Sequence, residues 1–186
     1  MKHAWIAIVV GFFVLLASYG GCKYNSMVSA NEDIDKSWAQ VENVLQRRAD
    51  LIPNLVETVK GFAAQEKEIF SNVADARSRL LGAKGPAEAA SANNGLNSAL
   101  GRLLAIGERY PDLKSNRNFL QLQDELAGTE NRIAVERKRY NDSVAGYNKA
   151  IKRFPGNIFA GIFGFDEREY FKAEVTAKEV PKVNFQ

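Results

Sequence analysis

Beyond residue 22 the apolar positions recur every three or four residues. Ile34, Trp38, Val41 and Leu45 form a first stripe, and Leu55, Val59, Phe62, Ile69, Val73 and Leu80 a second. Leu96, Leu100, Leu103 and Ile106 form a third. A long fourth runs through Phe119, Leu122, Leu126, Ile133, Tyr140, Val144, Tyr147, Ile151 and Phe154. Such spacing gives each helix one apolar face, suited to packing at a small left-handed crossing. No stretch alternates with period two for long enough to predict a strand.

Turn-forming residues separate the stripes. Gly82-Ala83-Lys84-Gly85-Pro86 divides the second from the third, and Tyr110-Pro111-Asp112 with Ser115-Asn116 divides the third from the fourth. Phe154-Pro155-Gly156-Asn157 stops the last helix. Pro53 suits the first turn of a helix. The apolar register nevertheless runs through Leu45, Arg48, Ile52 and Leu55 without a break. A single kinked helix from Asn31 to Leu80 would be about 75 Å long. The short third segment could not return the chain over that distance. The sequence therefore predicts four helices, with a turn at Asp50 to Ile52. The expected fold class is all-α, an antiparallel up-and-down four-helix bundle.

The first 22 residues have a different pattern. From Ala4 to Cys22 no charge interrupts the chain, and Ala4 to Ala17 is apolar on every face. This predicts an N-terminal membrane or signal segment over residues 1–22, a bundle over 23–172 and a tail over 173–186. Two modes of anchoring stay open. One is a transmembrane helix, whose ~19 uncharged residues stand at the lower edge of a bilayer span. The other is a signal peptide ending at Cys22, the lipidation candidate, where Tyr19-Gly20-Gly21-Cys22 is similar to a lipobox except at Tyr19. Lipidation would place the bundle outside the cytoplasm, in the periplasm or at the cell surface, and that location is expected.

The chemistry of the chain is thin. Among 186 residues there is one histidine, His3, and one cysteine, Cys22. An intrachain disulfide, a thiolate zinc site and most histidine-based catalysis are thereby excluded. A net charge of +3 is too small an excess to suggest nucleic-acid binding. Glu66 and Glu136 fall on core-facing lines, but a two-metal bundle site also needs Glu-x-x-His spacing. No catalytic residue, metal or cofactor is expected. Arg47, Arg48, Asp50 and Asn54 form the densest polar cluster near a turn. They read either as helix-end capping and interhelical pairing or as an interaction site. Ile158, Phe159, Ile162, Phe163 and Phe165 lie in a glycine-rich apolar stretch, Gly156 to Phe165. It reads as a loop that caps the core or touches a membrane or a membrane-protein partner.

The chain resembles the LemA family of bacterial membrane-anchored helical proteins. The resemblance rests on Tyr24-Asn25, Trp38 and the long string from Arg47-Arg48-Ala49-Asp50-Leu51-Ile52-Pro53-Asn54 to Gly61-Phe62. Further matches are Asn118-Phe119-Leu120, Thr129-Glu130-Asn131-Arg132-Ile133, Arg139-Tyr140-Asn141 and Tyr147-Asn148. It closes with Phe154-Pro155-Gly156-Asn157 and Phe163-Gly164-Phe165 to Tyr170-Phe171. It implies a non-enzymatic helical bundle behind an N-terminal membrane segment, and lipidated members place Cys just before the Tyr-Asn pair. The family includes proteins tied to building intracellular membrane compartments, and members often accompany a TPM-domain membrane protein. The expected function is a membrane-anchored scaffold or interaction protein of the cell envelope, with the lipid bilayer, a membrane protein or a second copy of itself as partners. The alternative is an accessory subunit or receptor for a membrane-bound enzyme, such as a TPM-domain protein or a protease.

Overall fold

The apolar stripes fold mostly as helix within residues 2–172, which are the residues described by this computed structural model. The elements are α1 (Lys2–Lys60), α2 (Lys67–Gly82), α3 (Gly85–Arg109), α4 (Pro111–Lys114), α5 (Arg117–Lys152) and α6 (Gly156–Phe163). The fold is all-α. Six helices among the described residues replace the expected up-and-down set of four.

The first correction concerns Pro53. It lies inside α1, not at the start of a new helix. A proline in a helix interior loses one hydrogen bond and crowds the carbonyl four residues back, at a cost of about 3 kcal/mol. Here Val41, Leu45, Ala49, Ile52, Leu55 and Val59 stay in one register and are all buried, while Pro53 points to solvent. Burying a large aliphatic side chain contributes about 1.5–3 kcal/mol, so the unbroken apolar line outweighs the proline. The chain breaks instead at 61–66. Lys60 in the last turn and Gly61 just beyond it are ordinary helix-stop residues. Phe62, assigned above to the second stripe, falls in this break and is exposed.

The second correction concerns the opening segment. From Lys2 onward it is the first part of α1, continuous with the charged turns that follow. Among the described residues no helix is long and apolar enough to cross a membrane. The run from Ala4 to Ala17 is only about 14 residues, or about 21 Å of helix against a hydrocarbon core of about 30 Å. Farther on, Gly20 and Met27 are buried against protein. This overturns the membrane or signal segment over 1–22 and the transmembrane, signal-peptide and lipoprotein readings. The bilayer partner, the membrane-dependent partners and function, and the location at the periplasm or cell surface fall with them. Cys22 is an exposed free thiol within the unbroken helix. The tail expected over 173–186 lies outside the described residues.

Two compact units divide the chain. One takes the described residues up to Ser37 together with Arg139–Glu169, and the other takes Trp38–Lys138 with the described residues from Tyr170. In the second unit the core joins residues of α1 from Val41 to Val59 with Phe70, Val73 and Leu80 of α2. Leu96, Leu100, Leu103 and Ile106 of α3 and Phe119, Leu126 and Ile133 of α5 complete it. Pro86 stands in the first turn of α3, where its missing N–H costs nothing. The buried Arg48 of α1 donates from Nη1 to Asn93 Oδ1 of α3 at 3.1 Å and pairs with Glu130 of α5. Arg77 of α2 donates to the carbonyl of Ala49 at 2.8 Å. Glu66 is not core-facing in a helix. It lies in the 61–66 connection and pairs with Arg109 at 2.9 Å.

Candidate functional site

Among the described residues, the first unit exposes several large apolar side chains, with Phe154, Ile158, Ile162 and Phe163 in or beside one short segment. The stretch read above as a loop is a helix, α6, whose eight residues average strongly apolar. Gly156 lets it start tight against α5, since a Cβ there would run into the carbonyl oxygen of Ala150 and lie 3.4 Å from Met27 Cε. Asn157 N–H then bonds the carbonyl of Arg153 at 2.9 Å, and at the other end Phe165 N–H bonds that of Ala160 at 3.0 Å.

One face of α6 meets aromatic residues of α1. Phe159 lies 5.9 Å from Tyr19, centroid to centroid, and Phe163 lies 5.0 Å from Tyr24, edge to face. Phe165 reaches Tyr24 at 5.8 Å, and Lys23 Nζ stands 5.5 Å above the Tyr19 ring. Pairs of this geometry add about 0.5–1.5 kcal/mol each beyond area burial. They fix which side of α6 faces outward. Ile158 is 51% exposed, Ile162 67% and Phe154, just before the helix, 80%. Ile158 and Ile162 stand one turn apart on α6 and form one ridge, and Phe154 lies in the turn before it.

An extended strap follows α6, and α5 grips it by its main chain. Asn148 donates from Nδ2 to the carbonyl of Arg168 and accepts the Arg168 N–H on Oδ1, both at 2.9 Å. The Tyr147 hydroxyl donates to the carbonyl of Asp166 at 3.0 Å, and the Tyr140 hydroxyl to that of Glu169 at 2.7 Å. Lys152 pairs with Glu167 at 2.7 Å, and Arg168 pairs with Asp35. These last two pairs are exposed and contribute little. The tyrosines and Asn148 are buried and carry the attachment.

Burial, and second the Glu169 carboxylate, push the Tyr140 hydroxyl up from 10.0 to about 12. Burial and then Asp166 raise Tyr147 as well. A phenol with a raised folded-state value stabilises the fold fully below pH 10, where both states are protonated. That contribution is lost as pH climbs from about 10 to about 12, because the unfolded tyrosine ionises first. Urea midpoints measured between pH 9 and 12 should therefore fall more steeply for the parent protein than for Tyr140→Phe. Parallel curves would show that Tyr140 is not the group responsible.

The residues singled out from the sequence divide between the units. Ile158, Phe159, Ile162, Phe163 and Phe165 belong to the first unit, as does Cys22 on α1. Arg47, Arg48, Asp50 and Asn54 belong to the second. Arg47 is exposed, and Asp50 accepts from Gln46 Nε2 at 2.8 Å. Asn54 is exposed and lends only its carbonyl, to the Thr58 hydroxyl at 2.8 Å. Arg48 is 5% exposed and is used internally. Tyr19, Tyr24 and the strap contacts were not singled out as site residues. The available signal was two tyrosines on a core line, since a buried hydroxyl requires a partner.

The described residues define an all-α protein with an exposed apolar pair on α6 backed by aromatic residues of α1. The LemA family's sequence profile matches residues 37–185, and the chain belongs to that family. The family is non-catalytic, and this protein is not an enzyme. The chain is 32% identical to magnetosome proteins MamQ 1 and MamQ 2 of Paramagnetospirillum magneticum, over 99% of this chain and 77% of each relative. It is 34% identical to magnetosome protein MamQ of Magnetospirillum gryphiswaldense, over 88% and 70%. With protein LemA of Metamycoplasma hominis it shares 27% identity over 82% and 69%.

Proposed function

We propose that the protein is a non-enzymatic helical scaffold that works by docking another protein on the α6 ridge. The observation that carries this reading is the outward exposure of Ile158 and Ile162 on a helix whose adjoining face is held by aromatic contacts. Apolar side chains lined up on a rigid element and left in water favour association. Three relatives are named for the magnetosome and not for a reaction, which supports a part in assembly.

The test is a photo-crosslinking residue placed at position 158 in the full chain, expressed in its own cells. A discrete adduct with the mass of a second protein is expected, and Ile162→Ser should remove it. That substitution should leave the melting temperature within about 2 °C, because surface changes of this kind cost within about 0.5 kcal/mol. Absence of any adduct, or an adduct untouched by Ile162→Ser, would sink the reading.

A further inference from the structure

We infer that the groove beside Trp38 in the second unit is a docking site for the chain's own residues 173–177, which carry the strap onward along α1. The inference does not depend on the role proposed for α6. It concerns another surface, and its occupant belongs to this chain.

The groove has a volume of about 330 Å³. Trp38, Leu45 and Gln46 line it from α1, on one side of that helix. Leu80 and Leu81 line it from the end of α2, and Ala89 from the start of α3. Leu81 is 43% exposed, so this wall offers apolar surface that a covering segment would take out of water.

The strap leads to the groove. It meets α1 in ascending order. Phe165 lies 5.8 Å from Tyr24, Arg168 pairs with Asp35, and Phe171 lies 6.3 Å from Trp38. Trp38 is thus both the last of these contacts and a lining residue of the groove. Phe171 is buried, and its neighbour Lys172 is exposed. An extended chain turns successive side chains to opposite faces. Counted from Phe171, the buried side continues as Ala173, Val175 and Ala177. The other side takes Lys172, Glu174, Thr176 and Lys178. The apolar side of this short run is therefore in phase with a residue that is already buried.

Length agrees with phase. Four extended residues, from Phe171 to Val175, cover about 13 Å. The eight residues of α1 from Trp38 to Gln46 cover about 12 Å. Val175 falls level with Gln46, within the span of the groove. The tether also favours this occupant. A segment held at the groove's mouth by Phe171 meets it at an effective concentration of about millimolar, which a separate partner would have to exceed.

The test uses the full chain with Cys22→Ser, so that only introduced cysteines react. Val175→Cys is combined with Gln46→Cys in one variant and with Ala105→Cys in another. Ala105 is exposed on α3 and lies about 24 Å beyond Ala89 along that helix. A disulfide needs Cα atoms within about 7 Å. Under mild oxidation the Gln46 pair should form an intrachain disulfide at least tenfold faster than the Ala105 pair, read from peptide masses after digestion. Leu81→Asp should slow that bond at least fivefold. Leu81→Ser serves in its place if the aspartate variant does not melt cooperatively. Equal rates for the two pairs, a rate unchanged by substitution at Leu81, or a disulfide that forms only between two chains would overturn the inference.

Discussion

Phe119→Ala is expected to destabilise the second unit by about 4 kcal/mol, the size of loss that follows deletion of a fully buried phenylalanine. Phe119 opens the fourth apolar stripe and is 2% exposed. Its ring faces α3 at Gly107, where an added Cβ would lie 3.0 Å from Cε1 and 3.1 Å from Cζ. The glycine makes space that the ring fills. Asn116 Oδ1 also accepts the Phe119 N–H at 3.1 Å, which fixes the entry to α5 and the ring's position. The contact gives the prediction a second arm. Gly107→Ala alone should cost about 1–2 kcal/mol by overpacking. In the Phe119→Ala background the new methyl has room, and the cost should vanish or reverse. A double-mutant cycle from urea unfolding measures that coupling. Additive losses would mean that ring and glycine do not share the space.

Arg48→Ala should cost about 3 kcal/mol, with contributions from both its stem and its head. The stem is buried, and each methylene returned to water or lost to a void is worth about 0.8 kcal/mol. The head bonds Asn93, itself 5% exposed, and pairs with Glu130. Truncation strands the Asn93 carbonyl in the interior, where an unsatisfied polar group costs about 1–3 kcal/mol. Glu130 is half exposed and can turn to water, so Glu130→Gln should cost only about 1 kcal/mol. Arg48→Met keeps most of the stem and removes the charge, and should fall between the two. Thermal unfolding would show this order, with a drop of about 6–12 °C for the alanine variant. Equal losses for Ala and Met would assign the whole effect to the polar head.

Arg48 also shows where local reading ends. Its place in the apolar register was visible in Leu45, Arg48, Ile52 and Leu55. Its partners, 45 and 82 residues away, were not. The same holds for Tyr140 and Tyr147, which read as members of a core line. Their hydroxyls bind a strap 29 and 19 residues farther on. Glu66 was placed on a helix face by counting through a break that the chain makes at 61–66. The α6 stretch read as a loop because Pro155, three glycines and several aromatics signal turns. Packing of Phe159 and Phe163 on Tyr19 and Tyr24 made it a helix.

The sequence by itself determined that this protein is all-helical, that its apolar faces repeat at three and four residues, and that its polar chemistry is sparse. Those properties depend on neighbours within a turn or two, where side-chain type and spacing act directly. Only the tertiary structure decided whether α1 continues through Pro53, where Arg48 and the buried tyrosines find their partners, and which side of α6 meets water. Each of those outcomes is a small difference between a local cost and the burial supplied by residues far away in the chain, and no local pattern contains the second quantity.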